Sequence, residues 1–115
     1  MEPKAFHTLL QRAHADFPGA FPGKGEPALP LAFGVDKTLR TAWPDMTRSS
    51  TRRFLGCYCG SPTYLKALAA GGPRYHLDGS TEGEVSAVEQ ADAVRRLAAL
   101  KKRKEASRRE LAQAA

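Results

Sequence analysis

Residues 60–85 read GSPTYLKALAAGGPRYHLDGSTEGEV, and this stretch decides the fold, because it joins a short helix directly to a small hairpin. Ser61 is a good N-cap and Pro62 suits the first helical position, where its missing N–H has no partner to lose. Tyr64, Leu65 and Leu68 follow in the short helix, and Gly71-Gly72-Pro73 ends it. Arg74-Tyr75-His76-Leu77 then alternates with the period of a strand, Asp78-Gly79 is a strong turn signal, and Gly83 to Val85 supplies a second short strand.

Working outward, helices dominate. Upstream, Phe6, Leu9, Leu10, Ala13 and Phe17 recur at helical spacing, with Pro3 tolerated in the first turn and Pro18 ending the run. From Pro18 to Pro30 the chain is rich in proline and glycine and reads as a loop, pinned to the core by Phe17, Phe21 and Leu29. Pro30 to Val35 reads as a short buried turn or strand. Asp36 is then the expected N-cap of a helix that turns Leu39 and Trp43 inward and stops at Pro44. Thr47, Ser49 and Ser50 offer caps for a helix over roughly 49–59, in which Phe54, Leu55 and Tyr58 share a face and Arg48, Arg52 and Arg53 lie along another. Downstream, Ser86 caps a long helix with Val88, Ala91, Val94, Leu97 and Leu100 expected inward. After Leu100 the run Lys101-Lys102-Arg103-Lys104 interrupts the apolar spacing, so the helix end is expected to project into solvent and to fray near Ala115. A helix over 86–111 is about 39 Å long at about 1.5 Å per residue, more than a small core covers. The fold class is therefore mainly α with a small β-hairpin (α+β), organised as residues 1–100 plus a basic helical tail over 101–115.

A chain of 115 residues is one ordinary domain, with no room for separate cofactor and substrate lobes. Its 42% hydrophobic and 26% charged residues suit a globular protein, and no stretch approaches the roughly 20 apolar residues of a membrane span. The net charge of +6 favours an anionic partner, but its location is more telling than its size. Residues 1–94 hold ten basic and ten acidic side chains, so the whole excess lies in 95–115. Within the neutral part, residues 37–74 carry Lys37, Arg40, Arg48, Arg52, Arg53, Lys66 and Arg74 against the single acid Asp45, a second block of +6. Acids at Asp78, Glu82, Glu84, Glu89 and Asp92 mask it in the total.

Catalytic chemistry finds little support. Cys57 and Cys59 form a C-x-C pair with no second pair to complete a zinc site, so no metal is expected. His7, His14 and His76 are scattered, without the signature of a nucleophile–base pair, and the cysteines read as small buried hydrophobes on a helix. There is no phosphate loop, and Gly19, Gly23 and Gly25 do not precede a helix as a dinucleotide site requires. No cofactor is expected. The first residues carry no apolar stretch behind a basic segment, so the expectation is a cytoplasmic protein that is not an enzyme.

Binding is better supported, on three features. Arg48 and Arg52, four apart, project to one side and can straddle a phosphate backbone, although a basic helix face is often merely solvated. The Gly60-to-Tyr64 turn presents a helix N-terminus whose N–H groups and Ser61 hydroxyl can take a phosphate or a terminal ribose, the alternative being a capped turn with Tyr64 in the core. Arg74, which begins the hairpin, can return to the same place. A phosphate site, an aromatic face and an arginine together suit single-stranded RNA. The tail, Lys101 to Lys104 with Arg108 and Arg109, adds phosphate contacts without specificity or is a solvated extension.

Taken in order, Phe17-Pro18, Phe21, Pro30-Leu31, Gly34, Leu39, the Arg52 helix, Tyr58, Ser61, Tyr64-Leu65, Arg74, Leu77-Asp78-Gly79 and Gly83-Glu84-Val85 resemble the ProQ/FinO domain of bacterial RNA chaperones, over about residues 4–100. The resemblance implies a monomeric RNA chaperone that binds the lower stem of intrinsic-terminator hairpins and their 3′ U-rich tails, acting on small regulatory RNAs and mRNA 3′ ends in post-transcriptional regulation. It implies Tyr64, Leu65, Arg74, Tyr58 and Ser61 at a pocket for the 3′ nucleotides, and Arg52 and Arg48 on the stem; the basic side chains of Arg53 and Lys37 are expected to add stem contacts, and Lys66 completes the expected RNA-binding set. The chain departs from the family pattern in lacking about three residues between Trp43 and Arg48, and in having Ala32, Pro62 and Thr63 where relatives carry Lys, Trp and Arg. Those losses weaken the expected stem contacts rather than the pocket. Two other readings compete: a generic basic binder of double-stranded nucleic acid or ribosomal RNA acting mainly through 95–109, and an adaptor docking a protein on the apolar side of its long helix.

Overall fold

The computed structural model describes residues 1–114, and the fraying expected near Ala115 lies outside them. The chain runs α1 (Pro3–Asp16), α2 (Val35–Ala42), α3 (Arg48–Cys59), α4 (Pro62–Ala70), β1 (Pro73–Tyr75), β2 (Thr81–Glu84) and α5 (Ala87–Ala114), so it is mainly α with one two-stranded antiparallel hairpin. Among the described residues no helix is long and apolar enough to cross a membrane.

The core is aromatic and lies where α1, α2 and α3 meet. Trp43, Phe21, Phe54 and Leu39 are fully buried, and the Phe54 ring has Phe6, Phe21 and Trp43 within 6.0 Å of its centroid. Tyr58 extends this cluster to Tyr64, at 5.4 Å, and so joins α3 to α4. Polar ties fix the outer side: Trp43 Nε1 donates to Asp16 at 2.9 Å, while Arg12 grips Asp45 with two 2.8 Å hydrogen bonds and lies 4.4 Å over the Trp43 ring.

Local signals place most elements. The Thr47 hydroxyl caps α3 by accepting from the Ser50 N–H, and Ser61 caps α4 by accepting from the Tyr64 N–H at 3.3 Å. Ser86 and Glu89 form a reciprocal capping box at the start of α5. The cap of α2 differs from expectation. It is Gly34, at φ +89°, a conformation that a residue with a Cβ resists, and Asp36 sits instead in the first turn, 4.0 Å from Arg40.

The hairpin is shorter than the sequence pattern suggests. Its strands are 73–75 and 81–84 rather than 74–77 and 83–85, because a register irregularity follows Pro73 and His76 already belongs to the turn, accepting from the Gly79 N–H. Residues 30–32 run beside β1 as a third extended segment: Tyr75 N–H donates to Pro30, and Ala32 N–H donates back to Tyr75, both at 2.8 Å.

The orientation of α5 also needs correction. Val88, Ala91 and Val94 are exposed, and the inward side is formed by Glu89, Gln90, Ala93, Leu97 and Leu100. Two contacts set this rotation. Glu89 pairs with Arg74 of β1, and Gln90 lies so close to Gly71 that a Cβ there would meet its side-chain nitrogen at 2.0 Å. A small residue, Ala93, then lets α5 approach α4 closely. Residues 101–114 are exposed throughout, and the helix extends the molecule to 49 Å, with a radius of gyration of 15.7 Å against the roughly 13 Å of an equally long compact domain.

Candidate functional site

Tyr64 and Arg74 converge on one residue, Leu31. Leu31 N–H donates to the Tyr64 hydroxyl at 3.0 Å, and Arg74 Nη1 donates to the Leu31 carbonyl at 2.8 Å. Arg74 Nη2 donates to the Glu89 carboxylate, and the guanidinium carbon lies 4.5 Å from the Phe33 ring centroid. Arg74 is only 5% exposed, and its Nε is buried without a hydrogen-bond partner. These groups form the floor and rim of a shallow cleft of about 240 Å³ that Leu55, Cys59 and Ala32 also line. That is below the roughly 300–1,000 Å³ usual for sites of drug-sized ligands.

The basic residues divide around this cleft. At 3.6 residues per turn, Arg48, Arg52, Leu55 and Cys59 fall on one stripe of α3, so the two arginines continue the line of the cleft wall. Arg53 falls on the far side of the same helix, with Cys57. Lys66 borders a different cavity, of about 300 Å³, between α4 and the 27–30 loop. Lys37 is exposed on α2. Arg48, Arg52, Arg53, Lys37 and Lys66 are all exposed, and none has an acidic partner among the described residues.

The remaining expected residues have structural work. Ser61 donates to the Tyr58 carbonyl at 2.7 Å while capping α4, so its hydroxyl is already committed where the sequence suggested a free ligand. Tyr58 is buried between Phe21, Phe54 and Tyr64, and Leu65 is buried outside that cluster. Tyr64 is a core ring, as the capped-turn alternative has it, and it also lines the cleft. Burial pushes the Tyr58 and Tyr64 phenols and the Cys59 thiol up, which keeps all three neutral near pH 7. Cys57 is exposed, contrary to its reading as a buried hydrophobe, because α3 turns that position away from the core. Among the described residues no three His, Cys, Asp or Glu side chains cluster as a metal would need.

Sequence reasoning missed two members. In the sequence Glu89 is one of the acids that mask the basic block, yet its carboxylate holds Arg74; the S-x-x-E capping box is the available signal. Phe33 belongs to a segment expected to be buried, yet it is 79% exposed at the cleft mouth. Nothing in a single sequence separates it from Leu31 and Val35, which are buried.

Fold and site together define a small α+β domain with a shallow cleft walled by arginine and tyrosine. The chain belongs to the ProQ/FINO family, whose sequence profile matches residues 4–110. Among solved structures it is similar to a FinO-like RNA chaperone from Neisseria meningitidis MC58, at 33% identity over 80% of this chain and 93% of that one, with a TM-score of 0.64. It shares its fold with a ProQ homolog from Legionella pneumophila, at 23% identity, 84% coverage of both chains and a TM-score of 0.70. No curated protein matches it.

Proposed function

We propose that the chain is a cytoplasmic RNA chaperone that binds structured RNAs by shape and by end: the lower stem of a terminator-like hairpin together with its single-stranded 3′ tail. The carrying observation is the cleft in which Tyr64 and Arg74 meet on Leu31, with the unpaired Arg48 and Arg52 leading away from it along α3. Arg48 and Arg52 neutralise stem phosphates, with Lys37 as an outlying contact, and Arg74 and Tyr64 hold the last nucleotides. Arg53 and Lys66 lie off this path and add only general attraction. The likeness to a FinO-like RNA chaperone supports the same reading. Stabilising small RNAs and assisting RNA–RNA pairing follow from covering an end without catalysis.

One observation favours a second reading, a generic nucleic-acid binder acting through the tail. Lys101, Lys102, Arg103, Lys104, Arg108 and Arg109 are all exposed and free of acidic partners among the described residues. Binding of a terminator hairpin with a free 3′ hydroxyl, compared with the same RNA carrying a 3′ phosphate or lacking its U-tail, separates the two. The cleft reading expects tight binding only to the first RNA, and the same preference after removal of residues 101–115. Equal affinity for all three RNAs, collapsing with the tail, supports the second reading instead.

A further inference from the structure

Phe33 is the most exposed of the large hydrophobic side chains, and isolated exposure of this kind ordinarily needs no explanation. Its position does. The residue lies between Ala32, which is hydrogen-bonded to β1, and Gly34, which caps α2, so its backbone is held from both sides. The ring stands at the mouth of the cleft that Tyr64, Cys59 and Leu55 line. The Arg74 guanidinium lies against the ring at 4.5 Å, and that guanidinium is itself anchored by the Leu31 carbonyl and the Glu89 carboxylate. The ring is therefore backed by a fixed cation while most of it faces solvent. Beside it, the buried Arg74 Nε lacks a hydrogen-bond partner, and Arg48 and Arg52 bring positive charge along the adjoining helix.

Arg74 is matched by Glu89 and Asp36 also lines the cleft, so the unmatched charge is that of Arg48 and Arg52. An occupant must therefore offer a flat apolar face to the ring and negative charge toward α3. A nucleotide does both, with its base and its phosphate. We propose that Phe33 is a stacking platform for a nucleobase among the last nucleotides of the bound RNA, an inference that rests on the cleft being the 3′-end site. Because every base has a π-face, such a platform reads the presence of a base and tolerates its identity. The 3′ end is then gripped by charge at its phosphates and by stacking at one base.

The test is a cycle between protein and RNA, using the full chain and a U-tailed terminator hairpin with single abasic nucleotides placed in turn at the last three positions. Phe33→Ala, Phe33→Leu and Phe33→Trp are compared with the parent, their folding checked by urea unfolding; the side chain is exposed, so the fold should be retained. One abasic position is expected to weaken parent binding about tenfold. Phe33→Ala and Phe33→Leu should lose a similar factor on the intact RNA and lose nothing further at that position, while Phe33→Trp keeps parental affinity. Parental binding by Phe33→Leu overturns the inference. So do abasic and protein penalties that multiply, since Phe33 would then only position Arg74. If these results come with an intact preference for a free 3′ hydroxyl, only the stacking role falls; if the parent lacks that preference, the 3′-end reading falls with it.

Discussion

The protein carries two basic blocks of equal charge, and they are built in opposite ways. In residues 37–74 the cations are mounted on a packed frame: Arg48 and Arg52 on a helix whose other side is buried in the aromatic core, Arg74 in a strand with its guanidinium held at three points. In 95–114 the cations ride on a helix that touches nothing beyond about residue 100, and only Arg95 and Arg96 have an acidic neighbour, Asp92. Nearby acids offset the first block at long range, but only that block sets its charges at fixed places beside an aromatic wall. Recognition needs that fixity, because each mobile side chain ordered on binding costs about 0.5–1.5 kcal/mol.

The sharpest way to break the contrast is Arg74→Ala. It leaves the Leu31 carbonyl and the Glu89 carboxylate without their partner, and should destabilise the fold by about 2–3 kcal/mol, less than the roughly 3–5 kcal/mol of a fully buried pair because Glu89 is partly exposed. Urea unfolding measures that loss. On RNA that requires a free 3′ end the affinity should fall roughly 100-fold, as expected when charge-assisted hydrogen bonds are removed. No single substitution in the tail should approach either figure. A tail substitution that did so would mean that the two blocks are not different in kind.

Next in size is the pair Arg48→Ala and Arg52→Ala, set against removal of residues 101–115. If about five phosphates are neutralised, log K should fall with log salt with a slope of roughly −3.5 to −4.5, and the double variant should make it shallower by about 1.4–1.8. Stability should stay within about 0.5 kcal/mol of the parent, since both side chains are exposed and unpaired. Tail removal should also flatten the slope, yet leave the ratio between free and blocked 3′ ends unchanged. Salt titrations on the two RNAs therefore report each block separately.

How far this was legible from residues depends on the range of the interaction. The caps at Thr47, Ser61 and Ser86, the Asp78-Gly79 turn and the arginine row four apart are local, and sequence reads them directly. The convergence of Tyr64 and Arg74 on Leu31 spans 33 and 43 positions, and no spacing rule encodes it. The rotation of α5 was misread for a related reason. Val88, Ala91 and Val94 are expected inward with Leu97 and Leu100, but only the leucines turn in, beside Ala93 and Gln90, because Gly71 allows close approach and Glu89 must reach Arg74. Phe33 was hidden by the same rule in reverse: an apolar residue among buried neighbours, turned outward beside the Gly34 cap.

The smallest expected effect concerns protons, and it too separates the blocks. Hydrogen bonding from Ser86, with the Arg74 charge behind it, holds the Glu89 carboxyl below its usual range, and the Arg12 guanidinium does the same for Asp45. A carboxyl whose folded pKa lies below its unfolded value binds fewer protons in the folded chain, so stability rises with pH through that window. The stabilisation is complete above the ordinary values, about 3.9 for Asp and 4.3 for Glu, and is lost as pH falls through the lower folded ones. Urea midpoints should therefore be flat with respect to these groups from pH 7 to about 5 and decline below about 4. Glu89→Gln should remove part of that decline, and Asp45→Asn should remove a separate part, since the two pairs lie on different elements. Shortening the tail should leave the decline as it was. A parental acid profile in Glu89→Gln would mean that neither the Ser86 cap nor Arg74 holds this carboxylate in solution, and Arg74 would then rest on Leu31 and Phe33.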